Sequence, residues 1–416
     1  MRLKDVSILN PVYQGDALDT EVSFVPMESL RYGKIYFQEI PFSEGKGKYT
    51  FFANGDLLIA KVTPCFENGN IAIANDMKEG IGFGSSEIFV LRMGKSVLNT
   101  YMFYFVQTSK FQDAACATMC GVGGLKRISP LFMRTYELSV PSVSVQQRIV
   151  DYLDEKTSAI DTRIELLEKK KDAYTRLKKA TINQAVTRGL NENVKLKDSG
   201  VEWIGMIPEK WEVKRIKDIS FMYSGLSGKS GDDFRCDDES LTKCYIPFTN
   251  VLNNTVVDFN HFMRVVMSDG EQQNAVKEND IIFLMSSEDY ESIAKTAVVV
   301  GDPGEVYLNS FCRGIRITSK SVYSPFVNYQ LNSEVYRDAL RFEARGFTRI
   351  NIKIDRIAGH FVTLPTYEEQ QTIAAYLDEK CAKIDAAIAN IDKQTEALRR
   401  LKRSLINEVI TGQRAV

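Results

Sequence analysis

The eight residues YSGLSGKS at 223–230 come within one position of the phosphate-binding pattern G-x-x-x-x-G-K-[ST]. In such a loop the first glycine permits a tight turn around phosphate, and an apolar helix follows. Here tyrosine fills that first position, and the acidic, irregular GDDFRCDDES comes next. Three readings stay open: a nucleotide site built on Lys229, a loop touching nucleic-acid phosphate through Lys229 and backbone N–H groups, and a plain surface turn.

Other chemistry-bearing patterns are weaker. Asn10-Pro11-Val12-Tyr13 is one proline short of the Asn-Pro-Pro-Tyr motif with which adenine methyltransferases grip a flipped base. No glycine-rich cofactor turn accompanies it, so it reads as a turn after the first strand. Cys116 and Cys120 have the spacing of a metal pair, but the chain has only two histidines, His261 and His360, and no second cysteine pair. Small buried residues are the expectation there, and no metal site. Asp154-Glu155 and Asp378-Glu379, near the starts of two helical segments, suit the helix dipole or a subunit contact better than paired catalytic carboxylates. No catalytic residue is expected.

The second half carries a denser signal. Between 312 and 356 lie Arg313, Arg316, Lys320, Arg337, Arg341, Arg345, Arg349, Lys353 and Arg356, against Glu334, Asp338, Glu343 and Asp355. Such a run is commonly a solvated face. Within it, however, Arg345-Gly346-Phe347-Thr348-Arg349-Ile350-Asn351 places two forked donors, a flexible glycine, an aromatic ring and an amide in one turn. Arginine pairs bidentately with guanine and asparagine with adenine, so the turn is a candidate DNA contact.

The elements that must position these residues announce themselves by repetition. QQRIVDYLDEKTSAID (146–161) and QQTIAAYLDEKCAKID (370–385) lie 224 positions apart and run on without a gap into 160–187 and 384–411. Neither continuation holds proline or an interior glycine, and both are rich in strong helix formers. Leu153, Ile160, Leu167, Tyr174 and Thr181 recur every seven residues, as do Leu377, Ile384, Ile391, Leu398 and Leu405. Ile164/Ile388, Leu177/Leu401 and Ile182/Ile406 are expected to widen the stripe. A period of seven is a coiled-coil signal. Two independent amphipathic helices are the alternative; equal length and matched start signals favour pairing with each other, in antiparallel fashion.

The blocks preceding the helices echo one another too. RLKDVSIL (2–9) matches RIKDISFM (215–222), and NGDLLIA (54–60) matches ENDIIFL (278–284). FVQTSKFQDAACATMCGVGGLKRIS (105–129) parallels YQLNSEVYRDALRFEARGFTRIN (329–351), each a helix running into a glycine-bearing turn with Lys/Thr-Arg-Ile. YELSVP (136–141) and HFVTLP (360–365) read as strands before a proline. The expected fold is therefore α+β, block–helix–block–helix, a duplicated plan with pseudo-twofold character and two mixed α/β blocks joined by two long antiparallel coiled-coil helices. Its boundaries fall at 1–140, 141–194, 195–364 and 365–416.

Bulk properties agree with a two-block protein. At 416 residues the chain exceeds one ordinary core. Its longest apolar runs, such as IIFLM at 281–285, are far short of the roughly 20 residues of a membrane span. The start MRLKDVSILNPVYQGD has no apolar signal-peptide core. Seven irregularly spaced cysteines point to a reducing cytoplasm. The net charge of −1 argues against a protein that simply coats phosphate, though not against one basic face.

On P-(x)4-QQ-x-I-(x)2-YLDEK-(x)3-ID at both helix starts and SGVEWIGMIPEKWEVKRIKDI at 199–219, the chain resembles the specificity (S) subunit of type I restriction-modification systems over its whole length. The lead-in at 199–219 has no counterpart before the first block. The resemblance implies two target recognition domains, each reading one half of a split, asymmetric double-stranded DNA target. It implies helices that set the gap between halves and dock two methyltransferase (M) subunits, which restriction (R) subunits join. S-adenosylmethionine, ATP and Mg would sit on those partners and none on this chain. Lys126, Arg127, Lys229, Arg345, Gly346, Arg349, Asn351 and Lys353 are the expected DNA-facing residues. A nucleotide-hydrolysing enzyme using 223–230 and a purely protein-binding coiled-coil scaffold are the rival readings.

Overall fold

The computed structural model describes residues 1–121, 124–191, 193–236, 238, 241–268 and 270–416. Two helices dominate it, Val143–Arg188 with 46 residues and Tyr367–Ile410 with 44. The chain divides into two compact units, Met1–Lys169 with Ile391–Val416, and Lys170–Asn390. Each unit thus holds one globular head, the half of one long helix that follows it, and the end of the other.

The heads share the strand order of their central sheet. In the first, a four-stranded antiparallel sheet runs in the order Ser7–Leu9, Ile88–Met93, Leu57–Ala60, Ile71–Ile73. In the second the order is Ser220–Ser224, Cys312–Ile317, Ile281–Leu284, Thr296–Val298. The repeated words NGDLLIA and ENDIIFL are the strands Leu57–Ala60 and Ile281–Leu284, buried at every position. A continuous apolar run is what a strand covered on both faces requires. Behind each lies a second sheet containing a parallel pair, Glu21–Val25 with Ile81–Gly84 and Thr242–Ile246 with Val306–Leu308.

A buried ion pair locks the same corner of both heads. Arg92 donates from Nε and an Nη nitrogen to the two carboxylate oxygens of Asp56, at 2.8 and 2.7 Å. Arg316 does the same to Asp280 at 2.9 and 2.7 Å. The carboxylates are almost wholly enclosed, so removing either arginine would strand a buried charge, at roughly 3–5 kcal/mol. In the second head Tyr223 adds an O–H bond to Asp280 at 2.6 Å, and burial, followed by the charge on Asp280, raises the phenol's pKa.

The words shared by the two helices become legible as attachments. Gln146 and Gln370 are fully enclosed. Gln146 accepts from Leu98 N–H and donates to the carbonyls of Ser96 and Pro141. Gln370 accepts from Tyr323 N–H and donates to Ser321 and Pro365. Asp154 and Asp378 each accept the hydroxyl of a tyrosine in their own head, Tyr104 and Tyr329, both at 2.6 Å. These aspartates lie about three turns into their helices, too far from the first turn for the dipole role expected of them.

The helices pair antiparallel in both units. Lys402 reaches Asp161 at 2.6 Å and Arg399 reaches Glu168 at 2.9 Å in the first unit. In the second, Lys178 reaches Asp385 at 2.7 Å. The contacts are exchanged, because Asp161 corresponds to Asp385 and Lys178 to Lys402 in the repeat. Leu153, Leu167, Leu377, Ile384, Ile391 and Leu405 are buried, and Ile160, Tyr174 and Leu398 are half-buried. The expected widening through Leu177 and Leu401 does not occur: they are 51 % and 55 % exposed. The seam runs instead through positions four residues on from the heptad leucines, where Thr157, Cys381, Thr395 and Lys402 are buried. Each lysine next to an exposed leucine turns inward, because an aspartate waits for it across the seam.

The expected strand at 136–141 is replaced by an isolated bridge between Arg2 and Glu137. Its counterpart Phe361–Leu364 is a full strand because the lead-in supplies a four-residue partner, Glu212–Arg215. The same lead-in buries Trp211 and stacks Trp203 on His360 at 4.7 Å. Burial holds the His360 imidazole at a pKa of about 4, below its ordinary 6.5. Because the unfolded chain takes up that proton first, the second head keeps its full stability above pH 6.5 and loses this contribution as pH falls toward 4. With only two histidines, ring NMR signals are assignable by a single His261→Gln variant. His360 is expected to keep its neutral chemical shift down to about pH 5, and a midpoint near the ordinary value would contradict the burial.

Candidate nucleic-acid interface

Each head ends its helix–turn segment in a hairpin loop closed by backbone bonds in both directions. Cys120 and Arg127 exchange N–H···O bonds of 3.1 and 2.9 Å, and Arg345 and Asn351 exchange two of 2.9 Å. The glycine after each opening residue is obligatory. Gly121 has φ +154° and Gly346 φ +146°. A Cβ there would stand 2.2 Å from the Leu125 carbonyl oxygen or 2.0 Å from that of Arg349. Val122 and Gly123 of the first loop lie outside the described residues.

The loops correspond with a shift from the sequence comparison. Arg127 bridges Val62, and Asn351 pairs with Ser286, which is the equivalent strand position. Ile128 bonds Lys61 and Ile352 bonds Met285 in the same way. Lys126-Arg127-Ile128 therefore matches Ile350-Asn351-Ile352, not Thr348-Arg349-Ile350. The first loop is one residue longer, and a length change in a loop is invisible when three similar letters offer a false register.

The second loop holds its donors ready. Arg349 lies over the Phe311 ring at 4.5 Å, which steadies the guanidinium by its stem and face, and among the described residues no carboxylate pairs with its N–H fork. Arg345 donates to the carbonyls of Phe342 and Ala344. Asn351 donates its amide to the Arg349 carbonyl at 3.2 Å. Lys353, at the entry to the helical turn Ile354–Ala358, is exposed. Ile350 and Ile352 are buried and anchor the far side of the loop.

The first loop is arranged differently. Arg127 gives Nε and an Nη nitrogen to Glu87 at 3.0 Å, and this bond holds the Glu87 carboxyl below its usual range. Phe311 occupies the position equivalent to Glu87, so one head braces its arginine with a ring and the other with a carboxylate. Lys126 is exposed, and its backbone is bonded to Thr63. Neither Phe311 nor Glu87 was singled out by sequence; the equal offset from the paired strands was the signal available.

Lys229 does not join these loops as an open donor. Its side chain is 8 % exposed and its ammonium meets Glu271 at 2.5 Å, which lowers the Glu271 carboxyl to about 2. Tyr223 lies inside a strand, and a short 3-10 turn, Gly231–Phe234, stands where a phosphate loop needs a helix. Gly225 is packed against the Asn309 carbonyl, so the backbone has no room to curl round a phosphate. Asn10 accepts Val90 N–H at 2.9 Å in the expected turn after the first strand. The helix carrying Cys116 stops at Ala117, and Cys120 is exposed, contrary to the expectation of two buried cysteines on one turn. Among the described residues no cluster of three or more metal-ligating side chains occurs.

Each unit thus carries one head with a hairpin loop closed by backbone bonds, and within each unit the two long helices pair antiparallel. Residues 208–397 match the family described as type I restriction modification DNA specificity domain. A specificity subunit of the type I enzyme EcoEI from Escherichia coli is 36 % identical over 152 residues, 36 % of this chain and 26 % of that protein. The chain therefore spans about a quarter of the length of that relative. The type I MjaVIII specificity subunit of Methanocaldococcus jannaschii is 22 % identical over 338 residues, covering 81 % of this chain and 75 % of that one. A chain from a solved type I restriction-modification assembly superposes with TM-score 0.71 at 14 % identity, covering 99 % of this chain and 96 % of that one. The HsdS subunit from Thermoanaerobacter tengcongensis gives 0.52 at 15 %, with the same coverage. Over residues 208–397 the chain is thus similar to type I specificity proteins, and over nearly its whole length it shares the fold of solved specificity subunits.

If the second loop reads DNA, its glycine is its weakest point. Gly346→Ala is expected to lower the melting temperature by a few degrees while leaving the chain folded, since its Cβ meets the Arg349 carbonyl in an exposed loop outside the core. The same change should weaken DNA binding by the complex with its partner subunits at least tenfold in a mobility-shift titration. Unchanged affinity would remove this loop from the interface.

Proposed function

We propose that this chain is the DNA-recognition subunit of a type I restriction-modification enzyme and performs no chemistry itself. Each head binds one half of a bipartite, asymmetric target in double-stranded DNA. The observation that carries the reading is the pair of hairpins at equivalent places on the two heads, closed by the same two-way backbone bonds and unlike in side chains. Equal scaffolds place equivalent loops; unequal loops specify different sequences, since base edges are read by side chains.

In this reading Arg345, Gly346, Arg349, Asn351 and Lys353 serve one half-site, and Lys126 and Arg127 the other. Arg127 must leave Glu87 to do so, whereas Arg349 has no carboxylate to leave among the described residues. Lys229 serves to hold its own loop through Glu271. The helix pair sets the separation of the half-sites and docks two methyltransferase subunits. Leu177 and Leu401, which occupy the same repeat position and are both exposed, suit two equivalent docking surfaces. S-adenosylmethionine, ATP and Mg belong to those methyltransferase subunits and to the restriction subunits that join them. The setting is cytoplasmic; among the described residues no helix is long and apolar enough to cross a membrane.

Co-expression with the adjacent methyltransferase gene, followed by single-molecule sequencing, is expected to show methyladenine in a two-part motif with unlike halves. Absence of adenine methylation, or one continuous palindrome, would overturn the proposal. Deleting one heptad from 160–181, with its partner heptad on the second helix, should shift the gap between the halves or abolish recognition, leaving both half-sites unchanged. Altered letters at an unaltered gap would contradict the role of the helices.

A further inference from the structure

Phe347 stands at the tip of the second loop with its side chain wholly in water, at 103 % relative exposure. A single exposed apolar residue is ordinary on a protein surface. The mounting of this one is not. The Arg345–Asn351 bridge closes the loop behind it, and Gly346 adopts a backbone angle that side chains avoid. Ile350 and Ile352 sink into the core on the far side. The ring is presented by a stiff hairpin and touches nothing of its own.

Its surroundings specify what it faces. Arg345 lies over the exposed Phe342 ring at 5.9 Å and Arg349 over Phe311 at 4.5 Å, so rings and guanidinium groups alternate along this edge. Lys353 adds a third cation. A partner for this edge must supply negative charge and flat π-surfaces together. A base-paired duplex does both, with phosphates for the arginines and base faces for the ring; an apolar protein surface does only the second.

We infer that Phe347 is a wedge that enters the DNA stack at the half-site read by the second head, parting one base step while Arg345 and Arg349 hold the flanking backbone or base edges. The inference rests on the DNA-reading proposal above and adds to it a specific residue and a specific distortion. It also makes the two heads unequal, because residues 120–127 of the first loop contain no aromatic ring. Only one half of the target should be kinked. The step that is parted should be an easily unstacked pyrimidine–purine step, which would make specificity at that position depend on deformability as well as on contacts.

The test uses the chain assembled with its methyltransferase subunits and a duplex of about 30 base pairs carrying the target defined by methylation mapping. 2-Aminopurine is placed at each position of both halves in turn. Apart from the target adenines, which the methyltransferase subunits flip in either half, fluorescence should rise at one step in one half only. Phe347→Ala should abolish that rise and weaken binding about tenfold or more, while Phe347→Trp retains both. If Phe347→Ala keeps wild-type fluorescence and affinity while Arg349→Ala binds weakly, the wedge is overturned and the DNA-reading loop stands. If both variants bind as wild type, the loop assignment falls as well. If Phe347→Ala fails to assemble with the methyltransferase subunits, the ring faces protein and the wedge is overturned. The complete exposure of the ring means that its removal leaves the fold intact, which a melting curve checks.

Discussion

A sealed carboxamide joins each long helix to its head. Gln146 and Gln370 have no exposure to water, so each of their amide hydrogen bonds must be made inside the protein, and an unmade one would cost about 1–3 kcal/mol. Three backbone groups on two different segments converge on each side chain. The helix start can therefore take only one direction relative to its head. Tyr104 with Asp154, and Tyr329 with Asp378, repeat the constraint farther along. Such joints fix the direction in which each helix leaves its head.

The seam between the helices follows a different economy. Its apolar side chains alternate with polar ones, and Lys402 is nearly as enclosed as the leucines. The Asp161–Lys402 and Asp385–Lys178 pairs contribute modestly to stability, since one partner of each is exposed. Their value lies in register. Sliding one helix by a heptad would leave the Lys402 ammonium half-buried without its carboxylate, and that penalty selects one alignment. Lys402 also lies over the Tyr32 ring at 4.3 Å, which ties the seam to the first head.

The duplication has preserved the scaffold and freed the loops. Asp56–Arg92 and Asp280–Arg316 keep the same geometry, whereas the position that holds Glu87 in one head holds Phe311 in the other. A carboxylate neutralises its arginine and a ring leaves it charged, so two identical frames present different electrostatics.

Much of this was legible from the chain alone. The repeated helix words, the buried strand words and the order block–helix–block–helix each depend on local pattern, and local pattern survives in the folded state because apolar periodicity dictates which face is covered. The Arg-Gly-Phe-Thr-Arg turn was visible for the same reason, since its glycine and its charges are local features. What lay beyond reach was every decision made across space. That Leu401 faces water and Lys402 the seam depends on an aspartate 241 residues away. That Lys229 is spent on Glu271, and that the two loops align two residues away from their look-alike letters, depends on which strands lie beneath them. Sequence determined the elements and their repetition, through periodicity and residue type. Tertiary structure alone decided which charges are matched and which stay free, because a charge is satisfied by its neighbours in space and not by those in the chain.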